Sequence, residues 1–121
     1  MTRQVTITNL STPLPRAIRA PYCSSFFCRL RGLMFRSHLA SDEGLLLVQE
    51  RSSRVDASIH MLFVFTDLAV IWLDQDGMVV DTVLARAWRP AYFPKAPAKY
   101  ILEISPERFE EFRVGDKIEF E

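Results

Sequence analysis

His60, set between Ile59 and Met61-Leu62, is the residue best equipped for chemistry in this chain. An imidazole donates and accepts hydrogen bonds and titrates near neutrality, which suits acid-base work or metal ligation. The plainer expectation is a hydrogen-bonded histidine at the border of the core. Ser58, His60 and either Asp67 or Asp81 supply the residue types of an acyl-transfer triad. However, no nucleophile elbow, glycine-rich oxyanion loop or phosphate cradle accompanies them. An enzyme is therefore the weaker reading, and it rests on His60 with a neighbouring acid.

Cys23, Cys28, His38 and His60 have the ligand types of a closed zinc site. If residues 24 to 31 are helical, two cysteines five apart point about 140° from one another. On that geometry they neither share an ion nor form a bridge easily, so no metal, cofactor or disulfide is expected. Arg31 and Arg36 flank Gly32-Leu33-Met34, and Asp42, Glu43, Glu103 and Asp116 are acids in otherwise compact segments. Arginine forks bind carboxylates bidentately, so an internal network is the structural expectation, with a pocket for a small anionic ligand as the functional one. Phe26 to Arg31 and Trp88 to Tyr92 interleave basic and aromatic residues, as single-strand nucleic-acid binders do. Phe26, Phe27 and Leu30 at helical spacing point instead to core, and a nucleic-acid partner is disfavoured. Trp88 and Tyr92, in a segment stiffened by Pro90, Pro94 and Pro97, better suit a protein or small-ligand contact, because rigid aromatics lose little entropy on binding. The candidate ligand-binding residues are thus Arg31, Arg36, His60, Asp67, Trp88 and Tyr92.

These groups need a scaffold, and the stretch from Ala57 to Ala85 is its expected centre. Leu68 to Leu73 is continuously apolar, as in a strand covered on both faces. Asp74-Gln75-Asp76-Gly77 then supplies a turn before Met78 to Leu84 resumes the strand pattern, giving a hairpin around Trp72. Residues 3 to 9 alternate as an edge-like strand. Leu14 to Ala20 is a second, irregular candidate because of Pro15. Ser24 or Ser25 caps a short helix with Phe26, Phe27 and Leu30 on its apolar side, ended by Gly32. Leu45 to Val48 is a buried strand, and Gln49 to Asp56 a solvated connection. Tyr100 to Ile104 is a strand, Ser105-Pro106-Glu107 starts a second short helix, and Lys117 to Phe120 closes the chain as a strand. About seven short strands and two short helices predict a mainly β fold, a small sandwich or barrel in a single domain over residues 1–121.

The 121 residues are 49% apolar and 25% charged with zero formal net charge, an ordinary globular composition. Arg3, Arg16, Arg19, Arg29, Arg31 and Arg36 all precede the first acid, Asp42, an asymmetry that internal pairing can absorb. No apolar run is long enough to span a bilayer and no secretory signal is visible, so a cytoplasmic location without membrane contact is expected.

Taken in order, Arg31-Gly32-Leu33-Met34-Phe35-Arg36, Asp42-Glu43-Gly44-Leu45, His60-Met61, Asp76-Gly77 with Val79-Val80, Leu102-Glu103 and Gly115-Asp116 resemble the uncharacterised family known as domain of unknown function 192, over nearly the whole chain from about residue 14. The resemblance implies one β-sandwich-like domain and no established activity. Family members commonly carry an acid at the position of Ala69, where this chain has Asp67-Leu68-Ala69, so Asp67 is the candidate substitute for it. With no motif that names a reaction, the expected function is a non-catalytic ligand-binding or protein-interaction module. The alternatives are a small hydrolase using His60, or an anion or nucleic-acid binder using the N-terminal arginines.

Overall fold

The computed structural model describes residues 3–121. Seven strands form one sheet: β1 (Gln4–Asn9), β2 (Ile18–Cys23), β3 (Gly44–Ser53), β4 (Leu68–Leu73), β5 (Val79–Ala85), β6 (Ala98–Ile104) and β7 (Ile118–Phe120). Their spatial order is β5-β4-β6-β3-β2-β1-β7. Neighbours are antiparallel except β2 and β3. A short helix α1 (Phe26–Arg31) and a 3-10 turn (Pro106–Glu111) complete the fold. The mainly β architecture with two short helices is thus present, as a single curled sheet.

β4 explains the curl. All six of its residues are buried, and they divide by the period-two alternation of a strand. Ala69, Ile71 and Leu73 enter a cluster to which all seven strands contribute, so the sheet wraps around it, with Phe112 also inside. Leu68, Val70 and Trp72 enter a second cluster on the opposite face, closed by chain segments that include Leu39, Ala57, Ile59, Met61 and Val64. Trp72 is buried there, and its indole N–H donates to the Ala57 carbonyl at 2.8 Å. The two sheet edges also meet, through the bridge of Met78 to Lys117 and the bond from the Val79 N–H to the Asp116 carbonyl.

Several local expectations give way. The second strand is Ile18–Cys23 rather than Leu14 to Ala20, and it lies inside the sheet. It tolerates Pro21 because its parallel ladder to β3 covers only Tyr22 and Cys23, with a lone bridge from Arg19 to Glu43. β3 continues through Ser53 beyond an irregularity after Val48, so most of the segment expected as a solvated connection is strand.

The helix is capped by Ser25, whose hydroxyl accepts from the Cys28 N–H at 3.2 Å, and ends at Gly32 with φ of +48°. Its apolar side faces outward: Phe26, Phe27 and Leu30 are 63%, 78% and 54% exposed. Cys23 and Cys28 form a disulfide, contrary to the helical-spacing argument. Cys23 ends β2 and only Cys28 lies in the helix, so the turn at Ser24-Ser25 folds one sulfur back onto the other.

Candidate functional site

On β6 the alternation places Leu102 and Ile104 in the inner cluster and Ile101 on the outer face. Glu103 must share the outer face with Ile101, opposite Leu45 of β3 and Val70 of β4. A carboxyl group is therefore set in an apolar row, only 4% exposed, and its Oε1 has no hydrogen-bond partner among the described residues. Burial penalises the charged form and lifts the Glu103 pKa from 4.5 to about 7.

Glu103 lies on the floor of a cleft of about 690 Å³. One wall is α1 and the turn after it; a β-carbon added at Gly32 would stand 3.8 Å from Glu103 Oε1. The facing wall is the segment around Ser58 and His60. It is held by paired bonds between Ile59 and Tyr92 of 3.0 and 2.8 Å and by the Met61 N–H on the Arg89 carbonyl at 2.9 Å. His60 is half-buried between those anchors, and its Nδ1 also has no partner among the described residues. Buried polar atoms in folded proteins are nearly always satisfied, so two unpartnered ones in one cleft are unusual. Arg31, exposed, stands at the rim with no side-chain partner among the described residues.

The other candidates lie elsewhere. Arg36 pairs with Glu43 at 3.0 Å, as an internal network would have it, and lines a second cleft of about 780 Å³ that also reaches Arg31. Asp67 pairs with Arg86 at 3.0 Å and accepts from the Ala87 N–H at 2.9 Å, so it anchors the chain after β5. Ala69 itself is fully buried in the inner cluster, where an acid would have no water. Asp81 accepts from the Thr82 and Lys95 N–H groups, so neither expected triad acid lines the cleft with His60. The Tyr92 hydroxyl accepts from the Arg86 N–H at 2.8 Å. Both cysteines are spent in the disulfide and are unavailable as thiolate ligands.

Trp88 belongs to an exposed aromatic ridge. Its ring is 5.1 Å from Phe63 and 5.5 Å from Phe65, and Phe63 is 5.7 Å from Phe35. Phe35, Phe63 and Trp88 all have positive φ, a conformation that side-chain-bearing residues rarely adopt. The cleft therefore unites His60, Arg31 and Ser58 with Glu103, which sequence reasoning treated only as a network acid. The available signal was an acid inside the apolar strand Tyr100 to Ile104, on the same side as Ile101.

Among the described residues no helix is long and apolar enough to cross a membrane. A family model, DUF192, described as Uncharacterized ACR, matches residues 6–120. The chain is 44% identical over 79 residues to a UPF0127 protein of Thermococcus gammatolerans, an alignment covering 65% of this chain and 50% of that one. It is 37% identical over 105 residues to a UPF0127 protein of Thermococcus sibiricus, covering 85% and 66%. The chain thus spans about half to two-thirds of the length of these relatives. A crystal structure of a protein of unknown function from Novosphingobium aromaticivorans shares the fold, with a TM-score of 0.83 at 23% identity, covering 98% of this chain and 84% of that one.

Proposed function

The chain belongs to the DUF192 family, and we propose that it is a small-ligand-binding module whose site is the cleft between α1 and the His60 segment. The carrying observation is the pair of unpartnered buried polar atoms, Glu103 Oε1 and His60 Nδ1, in that cleft. An unmade hydrogen bond in a buried site costs about 1–3 kcal/mol, and a ligand that satisfies both groups recovers it. The rigid pinning of Ile59 and Met61 favours binding, since little ordering remains to be done.

The hydrolase alternative gains an acid in the same cleft as His60, but His60 Nδ1 takes no hydrogen bond from Ser58 or any other described residue. A second reading, contact with another protein, is favoured by the aromatic ridge, whose strained backbone turns Phe35, Phe63 and Trp88 outward. The disulfide favours an oxidising compartment over the cytoplasmic location expected from the sequence.

A thermal-shift panel of small neutral, anionic and cationic compounds at pH 7 tests the cleft. At least one compound should raise the melting temperature of wild type by several degrees, as ligand excess over Kd requires. The same compound should leave Glu103→Leu and His60→Ala unmoved. A panel without hits, or hits that both variants retain, overturns the proposal.

A further inference from the structure

We infer that the ligand of this cleft is a neutral saccharide, held by its hydroxyl groups; the inference rests on the cleft reading above and names the class of molecule that fits it. The ionisable lining is mixed in sign: Arg29, Arg31 and Arg51 share the cleft with Glu50, Asp56 and the partly protonated Glu103. An anion would find the arginines but also three carboxyl groups, and an ammonium ligand would meet the reverse. A neutral molecule carrying both donors and acceptors meets no such opposition.

A sugar hydroxyl supplies what the two unpartnered atoms need, because one O–H donates and accepts at once. It can donate to Glu103 Oε1 while another hydroxyl of the same molecule bonds the imidazole at Nδ1, whichever tautomer His60 adopts. Phe26 adds a second, independent feature. It lines the cleft from α1 with 63% of its surface exposed, and its described ring partner is Phe27, edge to face at 5.5 Å. Apolar C–H faces of a pyranose lie well on such a ring, and burial of both surfaces is favourable. The cleft volume of about 690 Å³ lies within the range of small-molecule sites.

Calorimetric titration of the full chain with glucose, N-acetylglucosamine, maltose and cellobiose, beside citrate and spermidine as charged comparators, tests this. At least one saccharide should bind and both comparators should not. Phe26→Ala should weaken that binding about tenfold, the factor equivalent to loss of one aromatic contact. Val114→Ala, exposed and lining neither cleft, should leave it unchanged. Glu103→Leu, which extends the apolar row and is expected to fold, should abolish it. If citrate or spermidine binds in a Glu103-dependent manner and no saccharide does, the saccharide assignment is overturned and the cleft reading stands. If nothing binds, or if a saccharide binds Glu103→Leu as well as wild type, both fall.

Discussion

At Glu103 a carboxyl group has given up water without gaining a partner among the described residues, whereas the buried side chains of Asn9 and Arg108 are engaged. Asn9 donates to Asp116 at 2.9 Å and to the Glu111 carbonyl, and accepts from the Ser11 and Thr12 N–H groups. Arg108 reaches Glu111, the Ser41 carbonyl and the Arg16 carbonyl. The contrast has a pH signature. The folded-state pKa of Glu103, about 7, exceeds its ordinary 4.5, so between those values the folded protein holds more protons than the unfolded chain. Stability from this group is complete below pH 4.5 and is lost as pH rises through 7. At 1.36 kcal/mol per pKa unit the loss is on the order of 3 kcal/mol. Urea unfolding across pH 4.5 to 8 should therefore show wild type losing that much relative to Glu103→Gln, and a constant difference would refute the burial argument.

Helix α1 has no fully buried residue, so its place depends on a few point attachments rather than on a buried face. The disulfide ties Cys28 to the end of β2, Ser25 caps the first turn, and Arg29 donates to the Val48 carbonyl at 3.2 Å. A disulfide closing so short a loop contributes about 2 kcal/mol in the chain-entropy account. Reduction, or Cys28→Ser with Cys23→Ser, should cost about that much. It should also speed amide hydrogen exchange in residues 26–31 while leaving β4 protected. Equal acceleration in β4 would mean that the disulfide supports the whole fold and not this wall of the cleft.

At the scale of the whole molecule, the turn that brings the two edges of the curled sheet together requires one glycine. Gly77 has φ of +85°, and a β-carbon there would lie 2.6 Å from the Ile118 carbonyl oxygen. The Ile118 N–H bonds the Gly77 carbonyl at 2.9 Å, so the turn after β4 is in direct contact with β7. Gly77→Ala should separate those edges and cost at least about 2 kcal/mol, from backbone strain plus the lost bond. Gly115→Ala, with φ of +97° and nothing within 4 Å of the added carbon, should cost only the strain, about 1–2 kcal/mol. Urea midpoints of the two variants measure the difference, and equal losses would remove the steric explanation.

Local alternation and turn chemistry were legible in the sequence because they depend only on neighbours along the chain. Val5 and Ile7 point inward as their spacing requires, Leu68 to Leu73 is buried on both faces, and Asp74 accepts from the Asp76 and Met78 N–H groups in the predicted turn. Ser25 and Gly32 likewise bound the helix as residue types dictate. What lies against what was decided only by the tertiary structure. Phe26 and Leu30 have the spacing of a core face, yet no element covers them. The cysteines meet because the chain turns between a strand and a helix, which spacing on one helix could not show. Glu103 reads as a surface or paired acid until three strands and a glycine turn remove its water without supplying a cation. Desolvation is a property of everything within a few ångströms of a group, and most of those neighbours are far away in sequence.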